Sequence, residues 1–269
     1  MSLRNIGLVI AITTYDIDAL RVSLPPIRRC ARDATLIIHN DNPNIELSRQ
    51  FVRKIGWRGT LHIINSNVNL GEFESRIAVL EYIEREKIPC GWVMFVDDDD
   101  ALIDATVPAV SELTFAIIQN ATTIYESITD IFKITPKWVN GSEYGNTGAH
   151  FDIAGTLMRR GAAVEFGRFM RSVLPDVAKI AHGFKYRLPV GAIMWVGLNT
   201  FMRVAHPEMS AIYMDRTNYV SIKLGRATQK YGMRVVPMTS AKTFNSNVIK
   251  KFGKMFESAA VQNMVADNQ

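Results

Sequence analysis

The sequence predicts an α/β protein built on a mostly parallel central sheet with helices on both faces. Three observations lead there. Four short, almost wholly apolar runs recur in the first part of the chain, segments of helical period lie between them, and the connections are brief. A strand covered on both faces reads as a continuous apolar run, and parallel neighbours need a crossover segment, so the two patterns support each other.

Residues 6–13 (IGLVIAIT), 35–39 (TLIIH), 60–64 (TLHII) and 92–96 (WVMFV) are the predicted strands. Residues 17–32, 45–55 and 72–86 are the helices between them; the last, EFESRIAVLEYIERE, aligns Phe73, Ile77, Leu80 and Ile83 on one core-facing stripe. Right-handed crossovers follow from strand twist. Beyond Asp104 the pattern loosens. Residues 105–118 read as helix, 130–139 (DIFKITPKWV) as a strand interrupted by Pro136, and 141–148 (GSEYGNTG) as a loop. Residues 151–158 read as a strand, 160–174 as a helix, 213–231 as a helix with an acidic start, and 245–265 as an amphipathic helix carrying Lys250, Lys251 and Lys254. No internal repeat or low-complexity linker interrupts the chain, so a single domain over residues 1–269 is expected.

With 269 residues, 48% hydrophobic and 21% charged, the chain is expected to form a sizeable core, which excludes a disordered polypeptide. A net charge of +5 favours anionic partners, but the basic residues are spread along the chain without a recognition motif, so no nucleic-acid partner is expected. Cys30 and Cys90 lack metal-ligand spacing and read as free thiols in a reducing compartment. The N-terminal apolar run is short for a signal peptide, and no segment reaches the ~20 apolar residues that cross a bilayer. A cytoplasmic location is therefore expected. The C-terminal lysines leave peripheral contact with the inner face of a membrane open, although a solvated helix end explains them as well.

In parallel sheets ligands collect outside the carboxyl ends of the strands. There the chain places Thr13, Thr14, Tyr15 and Asp16 after the first strand, Asn40, Asp41 and Asn42 after the second, Asn65, Ser66 and Asn67 after the third, and Asp97, Asp98, Asp99 and Asp100 after the fourth. Alternation in an extended segment would put Asp97 and Asp99 on one face. Two converging carboxylates suit a hard cation, Mn2+ or Mg2+, which completes its shell with water and phosphate oxygens. Capping the next helix would need only one or two of the four. No G-x-x-x-x-G-K-[ST] segment is present and no G-x-G-x-x-G follows a strand, so neither a P-loop nor a dinucleotide site is supported.

The order of these motifs resembles family-2 glycosyltransferases of the GT-A fold. "ITTYD", "IIHNDN" and "FVDDDDAL" stand where that family has its P-T-Y-N-like turn, its D-D or D-N and its D-x-D-D, and "NLGEFESRI" keeps Asn69, Gly71 and Arg76 of N-x-G-x-x-x-A-R-N. "DIAGTLMRRGAAVEFGRF" and "YMDRTNYVSIKLGRATQKYGMRVVPM" are similar to the acceptor-side segment and to the E-D helix with its following strand, so the likeness covers roughly residues 5 to 238. Asp16, Ile77 and Met214 depart from the pattern, and the missing Q-x-x-R-W motif points to single sugar transfer.

The resemblance implies a GT-A type nucleotide-diphospho-sugar transferase fold, with a nucleotide-binding half over about residues 1–104 and an acceptor-binding half over about 105–269. It implies that Thr13, Tyr15 and Asp41 hold the nucleoside, that Arg76 stands near the diphosphate or base, that Asp97 meets the ribose or a metal-bound water, and that Asp99, with Asp97, coordinates Mn2+ or Mg2+. Asp215 becomes the base of an inverting transfer. The implied donor is a nucleotide-diphospho-sugar, a UDP-sugar first among them, and the acceptor a sugar or lipid-linked glycan. Two other readings stay open. A nucleotidyltransferase shares the acidic metal site, although its Gly-rich basic loop is absent from "ITTYDID", and a non-catalytic nucleotide-sugar-binding module would explain why only Asp215 remains of the acid pair.

Overall fold

A computed structural model of the chain describes residues 7–125, 128–132, 153–183, 188–223 and 238–267. Strands β1 (Leu8–Thr14), β2 (Thr35–Asn40), β3 (Leu61–Asn65) and β4 (Trp92–Phe95) alternate with helices α1 (Leu20–Cys30), α2 (Arg49–Ile55) and α3 (Gly71–Arg85). They pair in parallel in the order β3-β2-β1-β4. Alternation divides each strand between two cores. In β1, Leu8, Ile10 and Ile12 join Leu20, Leu24 and Ile27 of α1 and Val52 of α2, whereas Val9 and Ala11 face the α3 side. The expected α3 stripe is present: Ile77, Leu80 and Ile83 are buried and Phe73 partly so. Each fully buried aliphatic of this kind stabilises the fold by about 1.5–3 kcal/mol.

The second half contributes β5 (Ala101–Leu102), β6 (Thr114–Tyr125), β7 (Ile128–Phe132), β8 (Leu157–Arg159), α4 (Arg160–His182), α5 (Val190–Ala205), β9 (Ser210–Lys223) and α6 (Met238–Asp267). The sheet has nine strands in the order β3-β2-β1-β4-β8-β6-β9-β5, with β7 attached to β6. It is mixed, not mostly parallel. β4–β8, β8–β6, β6–β7 and β5–β9 are antiparallel, while β6–β9 is parallel. The cause is visible in the connections: only two residues separate β6 from β7, too few for a crossover, so the chain can only turn back. Helices cover both faces, as expected: α1 and α2 on one, and α3, α4, α5 and α6 on the other.

Two segments predicted as helices contain strand where they are described. Residues 105–113 hold no helix and 114–118 open β6, where Phe115, Ala116, Ile117 and Ile118 are all buried. A short apolar run has no period that separates buried strand from buried helix. Of the helix expected at 213–231, residues 213–223 lie in β9, where pairing along β6 overrides a helical spacing, and 224–231 lie outside the described residues. Of the strand expected at 151–158, residues 151–152 lie outside the described residues, Ala154 makes an isolated bridge to Phe95, and Leu157 opens β8. The expected strand over 130–139 is met by β7 as far as Phe132; its remainder and the loop at 141–148 lie outside the described residues. The helix expected at 160–174 continues to His182, and its Arg168 and Arg171 pair with Glu84 and Glu81 of α3, the latter at 2.7 Å. No helix among the described residues is long and apolar enough to cross a membrane.

Candidate functional site at the carboxyl rim of the sheet

The site begins where β1, β2 and β4 end. Strand alternation continues three residues past β4, through Asp98. Val93 and Phe95 face the α3 core, and Asp97 follows them to meet Arg76 of α3, whose Nη2 donates to Asp97 Oδ1 at 2.7 Å. Met94 and Val96 face the α1 core, and Asp98 follows them to Thr14, whose hydroxyl lies 2.5 Å from Asp98 Oδ2. The chain then turns, with Asp100 N–H donating to the Asp97 carbonyl at 3.2 Å. Alternation stops at that turn. The expectation that Asp97 and Asp99 share a face because the segment is extended therefore fails in its premise. Asp99 sits half-buried on the turn, and Asp100, fully buried, accepts from the Tyr219 hydroxyl at 2.7 Å.

Arg76 is held as firmly as it holds. It is 1% exposed, pairs also with Glu72 one helical turn earlier at 2.9 Å, and its guanidinium lies 5.6 Å from the centre of the Phe95 ring. The helix that carries it is anchored by Asp41: Oδ1 accepts from Leu70 N–H at 2.7 Å and Oδ2 from Gly71 N–H at 2.8 Å. Gly71 has φ +77° with open space around its Cα, so glycine is needed here for its backbone and not for room. Both oxygens of Asp41 are thus engaged in starting α3. A base bound nearby would share an oxygen already in use.

Thr13 is half-buried on the α3 side of β1 and faces His39 across the β1–β2 register. The Tyr15 carbonyl accepts from Asn42 Nδ2 at 3.1 Å, tying the ends of β1 and β2 together. Asp215 does not begin a helix. It lies exposed on β9, where Gln119 and Asn120 of β6 oppose Met214 and Thr217, leaving Asp215 and Arg216 as extra residues. Such bulges re-aim side chains. Asp215 Oδ1 accepts from Asn120 Nδ2 at 2.8 Å and from the Tyr213 hydroxyl at 3.1 Å. Arg216 donates to Gln119 Oε1 at 2.5 Å and pairs with Asp104 at 3.1 Å, fastening the bulge to the segment after the acidic turn. Five steps of β9, from Met214 to Tyr219, oppose only two steps of β6, from Gln119 to Ala121, so the chain between Asp215 and Tyr219 is not regularly extended.

Charge is concentrated at the turn. Burial raises the Asp98 carboxyl to about 8, and the charges of Asp99, Asp97 and Asp16 add to that against the hydrogen bond from Thr14. Burial likewise holds Tyr219 well above the usual phenol range, with Asp100 and Asp97 adding to it. Among the described residues no three His, Cys, Asp or Glu side chains form a complete metal cage. Mg2+ or Mn2+ can be held by as few as one or two carboxylates completed by phosphate and water, and a cation at this turn would relieve the part of the Asp98 shift that comes from neighbouring carboxylates.

Thr13, Tyr15, Asp41, Arg76, Asp97 and Asp99 therefore gather along one rim, with Arg76 and Asp97 in direct contact, while Asp215 stands further along β9 with its own partners. Sequence reasoning favoured Thr13 over Thr14 and passed over Asp98. The signal was available, since Thr14 shares the facing of Ile10 and Ile12, and Asp98 that of Met94 and Val96. Tyr219 had no local signal, because its role depends on a pairing between distant segments.

No protein-family model matches the chain, and neither does any curated protein. Among solved structures it is similar to the crystal structure of S. aureus TarS 1-349, with a TM-score of 0.48, 10% sequence identity, and coverage of 80% of this chain and 60% of that one. The chain thus spans less than two thirds of the TarS structure.

Proposed function

We propose that the chain is a metal-dependent glycosyltransferase that moves a sugar from a nucleotide-diphosphate donor, a UDP-sugar first among the candidates, to a hydroxyl of a sugar or lipid-linked glycan with inversion. The observation that carries the reading is the acidic turn at the carboxyl rim, braced by Arg76 on one side and Thr14 on the other.

In this reading the nucleoside lies along the ends of β1 and β2 against Thr13 and Tyr15. Asp41 acts there mainly by fixing the start of α3, and so the position of Arg76. Asp97 and Asp99 are the residues that would hold Mn2+ or Mg2+. Such an ion, when bound, offsets the charge that develops on the departing diphosphate. Asp215 accepts the proton of the acceptor hydroxyl as that oxygen bonds to the anomeric carbon and the sugar–phosphate bond breaks, its electron pair leaving with the diphosphate. Asn120 and Tyr213 hold one oxygen of Asp215, which orients the carboxylate for that task.

A second reading, a nucleotide-sugar-binding module without turnover, is favoured by one observation: Asp215 is preceded by Met214 and lies on a strand bulge, not at a helix start. One experiment separates the two. The chain is heated with a panel of nucleotide sugars with and without MnCl2, and release of the free nucleoside diphosphate is followed in parallel. A ligand at about 100 times its Kd adds about 2.7 kcal/mol to folding stability, which raises Tm by roughly 5–10 °C in a chain of this size. Metal-dependent stabilisation with transfer or hydrolysis supports the enzyme, and stabilisation without either supports the module. The absence of any metal-dependent shift removes both.

A further inference from the structure

We propose that Tyr219 is a positioning residue that fixes the acidic turn from β9, a role that rests on the glycosyltransferase reading above. The turn needs an external brace. It carries four carboxyl groups past the end of β4, and its own backbone supplies an Asp100–Asp97 hydrogen bond at 3.2 Å. The Tyr219 hydroxyl spans the same two residues. It accepts from Asp97 N–H at 3.1 Å and donates to Asp100 Oδ2 at 2.7 Å, so one oxygen ties the first residue of the turn to the last.

The tyrosine is itself rigidly mounted. Its ring is 3% exposed and rests on Gly155, where φ is +76° and a Cβ would come within 3.0 Å of Tyr219 Cβ. Its backbone pairs with Leu102 of β5, and at the preceding residue the Ile103 N–H donates to the Asn218 carbonyl at 2.7 Å and Asn218 Nδ2 to the Gly155 carbonyl at 2.9 Å. β9 shifts register against β6 at Asp215–Arg216 and again at Asn218, so the strand changes course as it enters this stretch. The hydroxyl is therefore placed by sheet pairing from a distant part of the chain, the arrangement in which a supporting group holds a ligand geometry most closely.

The test is Tyr219→Phe, which keeps the ring and removes the hydroxyl. Mn2+ is titrated into wild-type and variant chains in the presence of whichever of UDP, GDP, CDP or ADP stabilises the wild type, and thermal shift reports the apparent Kd for Mn2+. The expected result is a rise of roughly 10–100-fold in that Kd, the range seen when a residue behind a metal ligand is lost, with the metal-free nucleotide shift unchanged. Leu102→Ala, which weakens the same β5–β9 pair without touching the hydroxyl, lowers Tm but leaves the Mn2+ Kd in place. A Tyr219→Phe chain whose Mn2+ Kd rises by less than that range overturns the role and leaves the glycosyltransferase reading intact. A wild-type chain with no metal-dependent shift refutes that reading, and this role with it. Should Tyr219→Phe not fold, Asp100→Ala removes the same bond from its other end and is judged by the same criterion.

Discussion

Replacing Arg76 by methionine tests the link between α3 and the acidic turn. The change keeps most of the buried stem and its packing on Phe95 but removes the guanidinium from Asp97 at 2.7 Å and Glu72 at 2.9 Å. Removing one partner of a fully buried ion pair costs about 3–5 kcal/mol. Here the carboxylates are partly hydrated, with side chains 27% and 31% exposed, so each is relieved in part by water. Discounting for that screening gives about 2–3 kcal/mol, or a fall in Tm of roughly 4–12 °C for a chain of this length. The assay is thermal unfolding of wild type, Arg76→Met, Asp97→Asn and the double variant, without metal. The double variant should be less destabilised than the sum of the singles, because Asp97→Asn removes the charge that Arg76→Met strands. Strict additivity, or a loss in Arg76→Met of less than about 1 kcal/mol, would refute the claim that this contact braces the turn.

Three further outcomes are expected. Gly71→Ala should cost about 1–2 kcal/mol because φ +77° is unfavourable for an L side chain even where space is open, and urea denaturation measures it. His39 is held by burial below its ordinary pKa, against the pull of Asp41, so below about pH 6.5 the unfolded chain binds more protons than the folded one. Stability is then full above that pH and falls as the pH drops through it, by at most about 1.4 kcal/mol per pH unit from this group; His39→Gln should flatten that part of a denaturation-versus-pH profile. Asp215→Asn should lower turnover by roughly 10²–10⁴ while donor-induced stabilisation persists, and near wild-type turnover would remove Asp215 from the reaction.

The first four strands were legible because their short apolar runs recur with segments of helical period between them and brief connections, and α3 was legible because Ile77, Leu80 and Ile83 repeat at helical spacing. The second half was harder for a physical reason. Phe115, Ala116, Ile117 and Ile118 are all buried in β6, so the run has no period that distinguishes strand from helix. The site was legible as a rim but not as a set of contacts. The rim follows from strand direction, whereas the partners of Asp97, Asp98 and Asp100 come from α3, β1 and β9, elements whose meeting depends on the folded sheet. The acidic turn also shows the limit of alternation as a guide, which held through Asp98 and lapsed at the next residue.

The pairing of β5 with β9 bears on how the chain could be divided. A fragment ending near residue 104 would retain all four aspartates, yet it would leave Ala101 and Leu102 without a neighbouring strand and the carboxylate loop without its far anchor. The two halves are interlocked, not beads on a string. Separately produced, they should regain the braced carboxylate loop only on reassociation, because the last tie on the loop arrives more than a hundred residues after the loop itself.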